Sequence, residues 1–420
     1  MKKNLHDKVE RRADRKINLL VVGLFFLVWS VNGFFIGGNT VKMFLLLSGF
    51  ALIIATSFNF LKDIKFIKFV VFTLVMLLSF WFIAYIQDQY TLKTSIIVFD
   101  MICYLLLLCG YLMGRNIQRF GKLNNRVILL LSVLTILGVF MYVKFQSVLE
   151  LSATQTNRAV IEEGDDNVIN VIGIAYTNAI IFFVLYHILT TYKPRGWLRT
   201  TVFFSMIATF FLIFSTQSRG AIIYIILILL LDNFYRFTAL KNIFKIILSV
   251  IFITFFTLAL YIQVIDSFPV LGDKMEGALS RFASLQKLTD NVQADQSSYE
   301  RTLLIQDFYS NIGSIIVFGQ QKYTPYPHNQ FLEIIMRWGI FFGLPVLIFS
   351  VLNFLKSLQI LLKRITFSPL LNLIVLLFLF SFLQSMSSMS LEMNRILWLG
   401  LGFLAGLPRL VTLIKLKQTK

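Results

Sequence analysis

The sequence predicts an all-α polytopic membrane protein of about twelve transmembrane helices, because a run of roughly 20 apolar residues is what crosses about 30 Å of hydrocarbon. Three observations carry this prediction. The chain of 420 residues is 57% hydrophobic and only 14% charged, its mean hydropathy is +0.77, and long apolar runs recur from residue 17 to residue 411. Forty-four Phe against seven Pro exclude a disordered, collagenous or ordinary soluble chain.

The apolar runs place helices at 17–36, 42–60, 66–86, 95–114, 126–146, 168–189, 198–216, 219–235, 243–262, 330–352, 370–388 and 392–410. Residues 1–16 are basic, and no cleavage site precedes Gly33, so the first run reads as a retained helix rather than a removed signal. Cys103 and Cys109 lie six residues apart in one apolar helix, where they cannot form an ordinary disulfide and read as small core residues.

The formal charge of +18 suggests nucleic acid until its positions are traced. Seven basic residues precede residue 17, and others flank alternate runs: Lys62, Lys65 and Lys68; Arg115, Arg119, Lys122 and Arg126; Lys193, Arg195 and Arg199; Arg236, Lys241 and Lys245; Lys356, Lys363 and Arg364. The tail adds Arg409, Lys415, Lys417 and Lys420. Well over half of the 39 Lys and Arg residues therefore fall on one side of the bundle, which the positive-inside rule makes cytoplasmic together with both termini. No nucleic-acid partner is expected.

The opposite side has short connections and two longer segments. The first, around 147–167, carries Glu162, Glu163, Asp165 and Asp166; with no histidine or regular ligand spacing beside them, a solvated acidic loop is favoured over a divalent-ion site. The second, 263–327 between the ninth and tenth expected helices, is too long for a mere connector. Within it Tyr299, Leu303, Leu304, Phe308 and Ile312 recur at helical spacing and predict an amphipathic helix on or beside the bundle. Residues 1–420 read as one integral membrane domain from which no soluble catalytic unit can be cut.

Several residues on the outer side are not topology signals. Arg219, in FSTQSRGAIIY, stands at the mouth between the seventh and eighth runs, either as an interfacial anchor or as an anion contact, with Gln217 and its neighbours as polar lining. Arg301 belongs to the external amphipathic stretch; it is the wet face of a surface helix or a planar fork for phosphate oxygens. His328 follows Pro325 and Pro327 in KYTPYPHNQFLEIIMRWGIFFG, and Asn329 is placed to cap the helix that starts there. The imidazole then sits at the outer mouth, as a structural group or as a base for a sugar hydroxyl. Glu333 and Arg337, four apart, are a structural pair or a catalytic one; Glu392 and Arg395, three apart, allow an ion pair or a further anion contact at Arg395. Asp100, near the outer end of the fourth run, is an embedded carboxylate able to orient a histidine or an arginine. With histidine only at positions 6, 187 and 328, no metal and no other cofactor is expected.

STQSRGA, followed far downstream by the Arg301 segment and then by YPHNQFLEIIMRWGIFFG, resembles the O-antigen ligase and polymerase superfamily of bacterial inner membranes. The motif likeness covers residues 214–222 and 299–343, with the twelve-helix plan and the large external loop around it. The resemblance implies a GT-C-like fold, with that loop in the periplasm. It implies transfer of a glycan from an undecaprenyl-diphosphate carrier to an acceptor sugar, with Arg219 and Arg301 on the diphosphate and His328 at the acceptor hydroxyl, inverting and without metal. Asn329, Arg395 and Gln217 are expected in the substrate-binding set from their own positions in the sequence, outside what the resemblance assigns. The compact Arg301-to-His328 spacing and LEMNRILW near the end are more similar to repeat-unit polymerases of O-antigen, capsule or exopolysaccharide, for which a chain-length regulator is a further partner. The alternative is a ligase that delivers the glycan to lipid A-core. A metal-dependent lipid-linked glycosyltransferase is disfavoured because the first outer loop reads GGNTV and has no acidic ligand, and a flippase would not need His328.

Overall fold

The computed structural model describes residues 2–31, 38–56, 63–86, 94–117, 122–150, 171–215, 218–233, 296–319, 329–363, 365, 368–387 and 394–408. Over these the chain is all helix, with no strand among the described residues. The helices are α1 (Lys2–Val31), α2 (Gly38–Thr56), α3 (Ile64–Ile86), α4 (Thr94–Arg115), α5 (Asn125–Glu150), α6 (Val171–His187, continued by a π-turn Ile188–Tyr192), α7 (Trp197–Ser215) and α8 (Arg219–Asn233). They continue with α9 (Gln296–Ser310), the single turn α10 (Ile312–Ile315), α11 (Gln330–Leu362), α12 (Pro369–Ser385) and α13 (Arg395–Gly406). Two helices, Ile174–Tyr192 and Gln330–Leu362, are long and apolar enough to cross a membrane, and shorter apolar helices accompany them. The helix expected at 243–262 lies outside the described residues.

Boundaries shift for local reasons. The first helix begins at Lys2 rather than at residue 17, because the polar stretch is itself helical and joins the apolar one without a break. The last begins at Arg395, where the Asn394 side chain accepts from the Leu397 amide at 3.2 Å, and ends before Leu407, whose backbone is extended. α11 runs ten residues beyond its expected end to Leu362.

α12 is buried along nearly its whole circumference and forms the centre, as a helix apolar all round must. One contiguous apolar core joins it to α1, α2, α4, α5, α6, α7, α8, α11 and α13. The perimeter is inverted relative to a soluble protein. Phe44, Phe72, Phe82, Phe140, Phe204 and Leu352 are each at least 60% exposed, whereas Ser132, Thr135, Asn178, Ser205 and Thr209 are buried. The four hydroxyls among these return a bond to the preceding turn, as Ser132 does to Ile128 O and Thr209 to Ser205 O, so each is satisfied within its own helix.

The closest helix pair is α4 with α13. Gly110-x-x-x-Gly114 faces Gly402-x-x-x-Gly406, and the two backbones touch: a Cβ on Gly402 would lie 1.9 Å from Leu107 O, and one on Gly114 2.1 Å from Phe403 O. Small residues at this spacing let helices approach where water supplies no drive for association.

Helix ends pair as up-down alternation requires. At one end Asp14 Oδ1 accepts from the Lys122 amide at 2.6 Å, Asn18 Oδ1 from the Asn124 amide at 2.8 Å, and Tyr186 donates to Asp232 at 2.7 Å. There too Asp63 pairs with Arg115 at 2.7 Å, and Lys356 Nζ donates to Leu404 O at 2.6 Å, capping the C-terminal carbonyls of α13. At the other end α1, α6, α8, α11, α12 and α13 bring together the residues described next.

Candidate functional site

α11 is two helices, not one. Gly339 interrupts it with φ +60° and ψ −170°, separating an outer half, Gln330–Trp338, from a second half that starts at Ile340. The freed amides are taken by the chain that follows α10: Ile340 N–H donates to Ile316 O at 2.7 Å, and Phe341 N–H to Val317 O at 3.2 Å. Gly319, with φ +79°, lies against the break in its turn; a Cβ there would sit 2.4 Å from Arg337 O, and a Cβ on Gly339 2.3 Å from Val317 O. Both positions need glycine, for their dihedrals and for the approach.

The outer half-helix is held on every side. Asn329 Oδ1 caps its start, accepting from the amides of Phe331 at 2.9 Å and Leu332 at 3.3 Å, as the sequence predicts. Phe331 meets Phe382 of α12, and Trp338 meets Trp398 of α13. Phe308 of α9, 2% exposed, packs with Met336, flanked by Leu332 and Ile335. Of the expected apolar row on α9 only this end is fully engaged; Leu303 is 43% exposed.

Gln330 is fully buried, and its carboxamide is in contact with Ser385 Oγ. Ser385 also lies 2.7 Å from Phe382 O, a carbonyl whose usual helical donor, the Met386 amide, turns to Leu383 instead. A serine has one proton, which Ser385 can give either to Phe382 O or to Gln330 Oε1, and Gln330 Nε2 is buried without a hydrogen-bond partner among the described residues. Asn394 Nδ2 donates to Ser381 O at 2.6 Å, tying the start of α13 to the same end of α12.

Three charged groups stand in this layer. Glu333, 1% exposed in its side chain, pairs with Arg337 at 3.0 Å across one helical turn. Arg395, the first residue of α13, donates through Nη1 to Ser30 Oγ of α1 at 2.9 Å, and its Nε is buried without a hydrogen-bond partner. No carboxylate pairs with it among the described residues. A guanidinium removed from water and matched only by a neutral hydroxyl is a site for an anion on electrostatic grounds.

The structure places the other sequence candidates as follows. Arg219 is the first residue of α8, and its neighbour Gly220 packs against α6, where Tyr176 Oη is 2.6 Å from the position of a Cβ; Ser387, just past α12, is 3.6 Å away. Arg301 is in the second turn of α9. The side chains of Arg219 and Arg301 lie outside the described residues, as do Gln217, His328 and Glu392 and the acidic residues 162–166 altogether. Asp100 accepts from Trp81 Nε1 at 3.0 Å and so is engaged within the α3–α4 pair. Among the described residues no three His, Cys, Asp or Glu side chains gather as a metal site would require.

Sequence reasoning missed Ser30, Gln330, Ser385 and Asn394. Asn394 was open to discovery as a cap directly before a helix start, and Gln330 as a polar residue in the first turn of an apolar helix. Ser30 carries no local signal, since its role exists only through a contact 365 positions away. Comparisons of the chain with models of protein families, with curated proteins and with solved structures find no match in any of the three.

Proposed function

We infer that this chain is a membrane-embedded glycosyltransferase that polymerises undecaprenyl-diphosphate-linked oligosaccharide repeat units on the periplasmic face of a bacterial inner membrane. The perimeter of exposed Phe and Leu side chains around an apolar core, with the long apolar helices Ile174–Tyr192 and Gln330–Leu362, supports embedding of the bundle in lipid; the count of about twelve spans in a GT-C-like plan comes from the apolar runs and the resemblance. The basic flanks put the Asp14–Lys122 end in the cytoplasm and the Arg395 end outside.

The observation that carries the reading is the partly buried, carboxylate-free Arg395 at the same end of the bundle as the capped start of α11. The residue immediately before that cap is His328. Arg219 opens α8 at this end as well. In the reaction, Arg219, Arg301 and Arg395 hold the donor diphosphate. An acceptor hydroxyl oxygen attacks the anomeric carbon from the face opposite the diphosphate, and its proton passes to the His328 imidazole. The bond from the anomeric carbon to the phosphate oxygen breaks, its electron pair leaves with undecaprenyl diphosphate, and the arginines stabilise the added negative charge. No step needs a metal.

The test is purified protein in liposomes with an undecaprenyl-diphosphate repeat unit, alone or with lipid A-core. A ladder of longer lipid-linked glycans from the donor alone, abolished by His328→Ala in folded protein, is the expected result. Product only on lipid A-core makes the chain a ligase instead. Donor crossing the bilayer without any glycan transfer makes it a flippase.

A further inference from the structure

We propose that the paired glycines Gly319 and Gly339 form a clasp whose role is positioning: it sets the height of the arginine-bearing helix α9 against the first half of α11, the half whose Asn329 cap directly follows His328 in the chain. The clasp is built from two residues that each need a left-handed backbone and each lie against the other's segment. A Cβ on either would meet backbone atoms at 2.3 to 2.4 Å, and backbone, unlike a flexible side chain, cannot turn aside. Between them the two hydrogen bonds from Ile340 and Phe341 to Ile316 and Val317 satisfy amides that a helix break would otherwise leave bare. A break in an apolar helix is tolerated where other protein supplies the missing partners, and here that supplier is the chain that follows α10.

The clasp works with a second fastener. Phe308 sits among Leu332, Ile335 and Met336, and nine residues later Val317 reaches the level of Gly339, so the chain descends along α11 as it runs from α9 to Gly319. Arg301 lies seven positions before Phe308, two turns away on the same helix face. Following the chain backwards from the clasp therefore leads up the outer half-helix, past Phe308, towards Arg301 and the Asn329 cap beside His328. Arg301 belongs to α9 and His328 directly precedes Asn329 in the chain, so a shift of α9 against the half-helix changes the spacing of the two elements that lead to them. Slippage of the α9–α10 segment by one residue would put a non-glycine residue against Arg337 and Trp338, where Gly319 now lies, and would remove both amide bonds.

This inference rests on the transferase reading for the meaning of the geometry, and its test is separable from that reading. Spin labels on Tyr309→Cys and Leu352→Cys, both exposed, report the distance from α9 to the inner half of α11 in full-length protein with Cys103 and Cys109 replaced by alanine. Undecaprenyl diphosphate, without glycan, is the binding probe. Gly339→Ala is expected to broaden or shift the distance distribution and to weaken binding of the probe on the order of tenfold or more. Gly313→Ala, in the same segment with open space around it, is expected to change neither. Should Gly339→Ala fail to fold, Gly319→Ala strains the clasp from the side of that segment and leaves every long helix untouched. An unchanged distance overturns the proposal, and so does a changed distance with unchanged affinity, since the clasp would then be structural only. Wild-type protein that binds the probe but transfers no glycan removes the transferase reading and leaves the clasp standing. Wild-type protein that does not bind the probe removes both.

Discussion

Arg395 Nη1 donates to Ser30 Oγ at 2.9 Å, joining the first residue of α13 to the end of α1. The serine hydroxyl gives its own proton to Leu27 O at 2.7 Å, so towards the arginine it can only accept. The first helix of the bundle thus orients a cation carried by the last, and the rest of the guanidinium is left for another partner.

Replacing Ser30 by alanine removes that orientation and leaves the charge. Loss of a hydrogen bond to a charged group is expected to weaken binding of undecaprenyl diphosphate by about tenfold, whereas Ser30→Thr keeps the acceptor and stays near wild type. Arg395→Lys is expected to behave like the loss, because an ammonium lacks the planar fork that reaches Ser30 and an anion together. Titration of the labelled lipid into detergent-solubilised variants reads each value.

Glu333 and Arg337 distinguish a structural pair from a chemical one. Removing Glu333 takes the carboxylate at 3.0 Å away from a largely buried guanidinium, and Glu333→Ala is expected to cost about 3 kcal/mol of stability. If the pair only holds the half-helix, Glu333→Leu with Arg337→Leu recovers most of that loss and also recovers transfer. Recovery of melting temperature without recovery of ladder formation would assign the pair to the reaction.

How far the sequence carried the argument varies with the range of the interaction. The helical class, the recurrence of apolar helices and the Asn329 cap were legible because apolar runs and capping are local. The interruption at Gly339 was not, since RWGIFFG reads as an uninterrupted apolar helix until Gly319 and Val317 arrive from twenty residues upstream. Lys356 illustrates the same limit. By sequence it is one more cytoplasmic flank, yet its ammonium ends on the last carbonyls of α13. Arg395 was legible as a cation and illegible as a cation held by serine.

The α4–α13 contact predicts unusual sensitivity at four glycines. A methyl group on Gly110, Gly114, Gly402 or Gly406 would lie 1.9 to 2.2 Å from a backbone carbonyl oxygen of the facing helix, so the helices must part. Each change to alanine is expected to cost about 3 kcal/mol, at the upper end of overpacking penalties, and more than Gly400→Ala, whose methyl meets the Phe378 side chain instead. Because α13 carries Arg395, the same variants are expected to lose probe binding before they lose their helical signal. Thermal unfolding followed by circular dichroism, with binding measured in parallel, tests both expectations; equal loss at Gly400 and Gly402 would refute the backbone-contact explanation.

The Asp63–Arg115 pair predicts a pH dependence at the opposite end. Arg115 Nε lies 2.7 Å from Asp63 Oδ2, and this hydrogen bond, aided by the Lys65 amide, lowers the carboxyl below its ordinary value of 3.8. A carboxyl depressed in the folded state adds stability that is complete above the unfolded value and disappears as pH falls through the folded one. Both side chains keep over a quarter of their surface in solvent, so the contribution at neutral pH is expected to be about 1 kcal/mol or less. Asp63→Asn should therefore melt slightly below wild type at pH 7, and the difference should shrink steadily as pH falls below 4. Added salt should shrink it as well, because half-exposed charges are screened. A gap that persisted unchanged at pH 2 would mean that Asp63 acts through packing rather than through its charge.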